Sequence, residues 1–108
     1  NYAQGLSNII VTDGVLNISA YRGAYFRIDI PTATGNLLYI IDDQAVIGDE
    51  IILRPVTSSR DITLIHASGN LSLNGNSNFT LLTANHLIKL MYDGSMWIEL
   101  GRRVEAGG

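Results

Sequence analysis

Hydrophobic residues in this chain come in short runs of period two, broken about every 8–12 residues by Gly, Asn, Asp and Ser, the spacing of an all-β sandwich or barrel. The clearest run is Ala24–Ile30. Phe26, Ile28 and Ile30 fall on one side and Tyr25, Arg27 and Asp29 on the other, which predicts a strand with one wet face. Asn8–Thr12 and Val15–Tyr21 flank Asp13-Gly14. An Asp-Gly pair between two β-rich runs predicts a hairpin, because Gly tolerates the positive φ of a tight turn. Leu16, Ile18 and Ala20 are then expected on one face of the second strand. Leu37–Ile41 is continuously apolar and predicts a strand buried on both sides, preceded by a loop over Thr32–Asn36. Strands are further expected over Glu50–Arg54, Asp61–His66, Leu71–Leu73, Phe79–Leu82, His86–Tyr92 and Met96–Leu100. Pro31 and Pro55 end strands because they lack a ladder donor. No stretch holds a helical period for three turns. Ile-Thr-Leu, Leu-Ser-Leu and Phe-Thr-Leu echo one another within Asp61–Leu100, too closely spaced to establish a solenoid. The expected fold is one all-β domain over 1–108, an antiparallel β-sandwich or barrel of jelly-roll type. An N-terminal arm (1–7) and a polar C-terminal tail (101–108) flank it.

Composition changes this picture in one respect. Of 108 residues, 46% are hydrophobic and only 16% charged, below the usual quarter. Some surface is therefore expected to meet other subunits. The net charge of −3, with seven Lys and Arg and no basic patch, disfavours nucleic-acid binding. There is no cysteine, hence no disulfide or thiolate chemistry. No apolar run is long enough for a transmembrane helix, so membrane insertion is not expected. No signal peptide is read at the start, and the absence of an opening Met fits a processed, trimmed or partial polypeptide.

Candidate chemistry is sparse. His66 lies on the apolar phase of its strand and reads as a hydrogen-bonded or interface residue. His86, at a strand start, reads as solvated. Neither stands in a metal-ligand spacing. Asp42-Asp43 and Asp49-Glu50 are adjacent pairs whose side chains diverge in a strand, so they read as strand-ending turns rather than acid/base pairs. The D-x-[DN]-x-[DN]-G calcium loop, the G-x-S-x-G elbow and phosphate-binding Gly loops do not occur. No catalytic residue, cofactor or metal site is expected. The glycosylation triplets at Asn17, Asn70 and Asn78 read as chance matches in an Asn- and Ser-rich chain. Tyr25 and Arg27 on the wet face, with Tyr21, are the candidate glycan or partner contacts. Tyr92-Asp93-Gly94 and Trp97 read as a structural hairpin in which the indole packs across onto the facing strand.

Ile62–Leu64, Gly69-Asn-Leu-Ser-Leu-Asn-Gly75, Asn78-Phe-Thr-Leu81, Leu87–Gly94 and Trp97–Leu100, preceded by Gly48–Leu53, together resemble a module of tailed-bacteriophage virion proteins. That module occurs at tail-fibre tips and in small head or tail appendages. The resemblance spans about Leu37 to Arg103. It implies a non-enzymatic all-β component of the virion, commonly a homotrimer, bound to other capsid or tail proteins. Two roles follow as expectations: a capsid decoration (cement) protein acting by assembly, or a tail-fibre module that recognises a host surface carbohydrate.

Overall fold

The computed structural model describes residues 8–21 and 23–104. The expected arm (1–7) and residues 105–108 of the expected tail lie outside them. Among the described residues eleven strands follow one another: β1 (Asn8–Ile10), β2 (Val15–Asn17), β3 (Tyr25–Asp29), β4 (Thr34–Leu37), β5 (Tyr39–Ile41), β6 (Glu50–Pro55), β7 (Asp61–Leu64), β8 (Leu71–Ser72), β9 (Phe79–Leu81), β10 (Leu87–Tyr92) and β11 (Trp97–Arg103). They form a six-stranded sheet in the order β1-β3-β6-β10-β11-β8, a three-stranded sheet β4-β7-β9 and a two-stranded sheet β2-β5.

The all-β reading holds, but the antiparallel, jelly-roll one does not. Among the described residues five of the eight strand pairings are parallel. Tyr25 lies opposite Ile52 and Thr34 opposite Asp61, so β3 and β4 each meet the strand 27 residues further on. The chain winds from the six-stranded sheet through the three-stranded sheet to the two-stranded sheet and back, a solenoid-like course. The antiparallel element is the β6-β10-β11 meander together with β7-β9. Period-two alternation is common to both kinds of ladder, so it carries no information on strand direction.

Two local expectations change for the same reason. Asp13 (φ 53°) and Gly14 (φ 80°) do make the tight turn, but it is closed by a single Thr12–Val15 bridge. β1 and β2 then part into different sheets. The Asp-Gly turn is a corner of the coil, not the tip of a hairpin. Leu16 and Ile18 are buried as expected, whereas Ala20 is exposed. Leu37–Ile41 is not one strand buried on both sides. Leu38 is a corner: both its N–H and that of Tyr39 donate to the Gly14 carbonyl. β4 ends before it and β5 begins after it. Tyr39 and Ile41 then point outward at 46% and 40% exposure. β4 occupies Thr34–Asn36 of the expected loop, and β11 carries the chain through Gly101–Arg103, the first part of the expected tail.

The core lies between the sheets. Phe26, Ile28, Leu53, Leu90 and Trp97 come from the large sheet, Leu37, Leu64 and Leu81 from the three-stranded sheet, and Leu16 and Ile40 from the small one. Each sits at an alternating position, so one face of every strand supplies the core.

Candidate functional site: a cationic sheet face and its structural frame

The resemblance motifs are first explained by the frame. At Gly69-Asn70 the chain crosses the corner at Leu38. A Cβ on Gly69 would overlap the Leu38 carbonyl oxygen, so only glycine allows this approach. Asn70 then caps β5. Its Oδ1 accepts from the Ile40 N–H (2.9 Å) and its Nδ2 donates to the Ile40 carbonyl (2.8 Å). One side-chain amide thus takes the place of a neighbouring strand on a buried edge. The Asn70 carbonyl accepts from the Trp97 N–H, joining this corner to β11.

Tyr92-Asp93-Gly94 turns β10 into the antiparallel β11. Asp93 Oδ1 accepts from the N–H groups of Ser95 (2.8 Å) and Met96 (2.7 Å). Those donors, Met96 first, hold its carboxyl below the usual carboxylate range. Gly94 has φ 101°, and the Tyr92 hydroxyl donates to its carbonyl. The Tyr92 and Trp97 rings are 5.1 Å apart and tilted by 39°. The buried Glu99 on β11 accepts from Arg102 through both oxygens (2.7 Å each) and from the Asn74 N–H. Arg102 holds its carboxyl below the usual range, outweighing the opposite effect of burial. Arg102 also lies 4.0 Å over the Phe79 ring.

Both histidines are structural acceptors. His66 lies beyond the end of β7 and is partly exposed; its Nδ1 accepts from the Leu73 N–H. His86, expected in solvent, is 5% exposed, and its Nδ1 accepts from the Leu82 N–H at 3.1 Å. Its place on a tight turn draws it inward to satisfy a backbone donor. Among the described residues no three His, Cys, Asp or Glu side chains gather in a metal-binding group. No helix of the described residues is long and apolar enough to cross a membrane.

The structure separates the three candidate contact residues. Tyr25 and Arg27 stand together on the outward face of the six-stranded sheet, as the alternation predicts. Tyr21 lies elsewhere, in a polar cleft of about 510 Å³ with Ser19, Asp42, Gln44 and Asp49, where it also packs against the core. On the outward face Tyr25 is in register with Ile52, and Ile52 with Lys89. Arg27 is in register with Arg54, and Arg103 with Leu87 on the same face. Sequence reasoning did not find Arg54, because its neighbour in space is 27 residues away along the chain. Arg54 is held by the Ala84 carbonyl and by Asn85 Oδ1. Lys89 pairs with Glu50 at 3.0 Å. Asp29, two positions beyond Arg27, is taken by Arg60 in a bidentate pair at 2.7 and 2.8 Å. That pairing holds the Asp29 carboxyl below its ordinary range.

Residues 7–98 match the family model of the phage depolymerase C-terminal β sandwich domain. The chain belongs to this family. The match takes in all three sheets and includes Asn8–Ile30, which lie outside the resemblance read from the sequence. The family supports a phage tail-associated β domain, where the motifs implied a virion module of either head or tail. No curated protein matches the chain.

Proposed function

We propose that this chain is a non-enzymatic virion module that works by homo-oligomeric assembly, as a trimer, on a phage tail fibre or spike. The family supports a tail location over capsid decoration, since its members are the C-terminal domains of depolymerases. The observation that carries assembly is the loop between β5 and β6. Val46 and Ile47 are 63% and 75% exposed, the most open large apolar residues among those described. The loop is not loose. The Val46 N–H donates to Asp49 Oδ2, the Asp49 N–H to the Val46 carbonyl, and the Gly48 N–H to the Tyr92 carbonyl. Two β-branched side chains are thus held out in water beside Gly94. Burying both against a neighbouring subunit contributes about 2–4 kcal/mol per protomer at roughly 25 cal/mol per Å². Sedimentation velocity tests this. The wild-type chain is expected to sediment as a trimer and Val46→Asp/Ile47→Asp as a folded monomer. A wild-type monomer at tens of micromolar refutes the proposal.

A second reading is contact with a host surface glycan. It is favoured by Tyr25 and Arg27 sharing the outward face of the six-stranded sheet.

A further inference from the structure

We infer that the outward face of the six-stranded sheet binds an acidic polysaccharide, with Arg27 and Arg54 as paired anchors for its carboxylates. The inference rests on the glycan reading and adds the chemical class of the ligand.

Arg27 and Arg54 are register partners on adjacent parallel strands, so both side chains leave the same face from backbones about 4.8 Å apart. Like charges set side by side on a sheet are unfavourable unless something neutralises them. No carboxylate among the described residues does so. The carboxylate on the same strand, Asp29, is occupied by Arg60. Glu50 is occupied by Lys89. Neither Arg27 nor Arg54 has an ion-pair partner among the described residues. Arg54 is moreover fixed, with Nε on the Ala84 carbonyl and Nη2 on Asn85. That leaves other N–H groups of its fork for a ligand. In a chain of net charge −3, this is a prepared and uncompensated cation pair. Guanidinium forks match planar carboxylates in bidentate geometry. The partly exposed Tyr25 and Ile52 lie in the adjoining row and offer an apolar platform for a sugar ring. The open face of a six-stranded sheet suits an extended polymer rather than a small enclosed ligand.

The test is calorimetric titration of the whole chain with polygalacturonate and with neutral dextran, at low and at 0.5 M salt (a setting of roughly three times physiological ionic strength). Polygalacturonate is expected to bind and to weaken at high salt, and dextran not to bind. Arg27→Gln, which breaks no described contact, is expected to weaken binding about tenfold, the loss of one charge-assisted hydrogen bond. Arg27→Lys recovers only part of it. Equal, salt-independent binding of both polymers, unchanged in Arg27→Gln, overturns the acidic class but leaves the glycan reading standing. Binding of neither overturns both.

Discussion

Asn70 offers the sharpest quantitative test of how this fold is closed. Its amide satisfies both backbone groups of Ile40, a residue only 2% exposed. Asn70→Ala removes both partners at once and leaves an N–H and a C=O unpaired at a buried edge. Each unsatisfied group costs about 1–3 kcal/mol. Asn70 is itself partly accessible, so water relieves some of this, and the expected loss is about 2–4 kcal/mol. Against a total stability of roughly 5–15 kcal/mol the variant folds but is visibly weakened. With a urea slope of about 1–3 kcal/mol per M, the midpoint falls by about 1–2 M. Asn70→Asp keeps the acceptor but turns a carboxylate oxygen toward the Ile40 carbonyl, so it is expected to be no better than Ala at neutral pH. Asn17→Ala serves as the control. Asn17 makes only a local bond to the Ser19 N–H at the surface, and its loss is expected below about 1 kcal/mol. Equilibrium urea unfolding of the three variants, followed by tryptophan fluorescence, decides the matter. If Asn70→Ala loses no more than Asn17→Ala, with an unchanged slope, the reasoning is wrong and the edge does not depend on this amide.

Other outcomes follow from the same structure. Gly69→Ala forces the backbone away from Leu38 and is expected to lose at least about 2 kcal/mol, whereas Gly101→Ala meets no atom within 4 Å and is expected to be nearly neutral; thermal melts compare them. Glu99→Gln weakens two charge-assisted bonds of a buried carboxylate and is expected to lose about 2 kcal/mol without loss of fold, read by urea unfolding. Folded Asp29 and Glu99 both hold their carboxyls below the ordinary range. Their contribution is therefore complete above the unfolded-state values near 4 and is lost as pH falls through the lower folded values. Stability is expected to decline from about pH 5 downward, and Asp29→Asn/Glu99→Gln to flatten that decline; an identical acid profile in the double variant counts against these pairs.

The sequence by itself determined that the chain is all-β, and it located most of the strands. The inward positions Phe26 and Ile28 on β3 and Leu16 on β2 were legible because a strand shows its two faces at period two, whatever it pairs with. The Asp13-Gly14 and Asp93-Gly94 turns were legible because positive φ favours glycine. The motifs of Asp61–Leu100 placed the chain among phage virion modules. Tertiary structure decided the direction of the ladders, because parallel and antiparallel strands share the same alternation. It decided the fate of Leu37–Ile41, where a corner stabilised by the Gly14 carbonyl turned an apolar run outward at Tyr39 and Ile41. It put His86 inside, on a backbone donor that only the folded turn creates. It also set Arg54 beside Arg27. Twenty-seven residues separate them in sequence, and only the parallel register brings the two charges to one face.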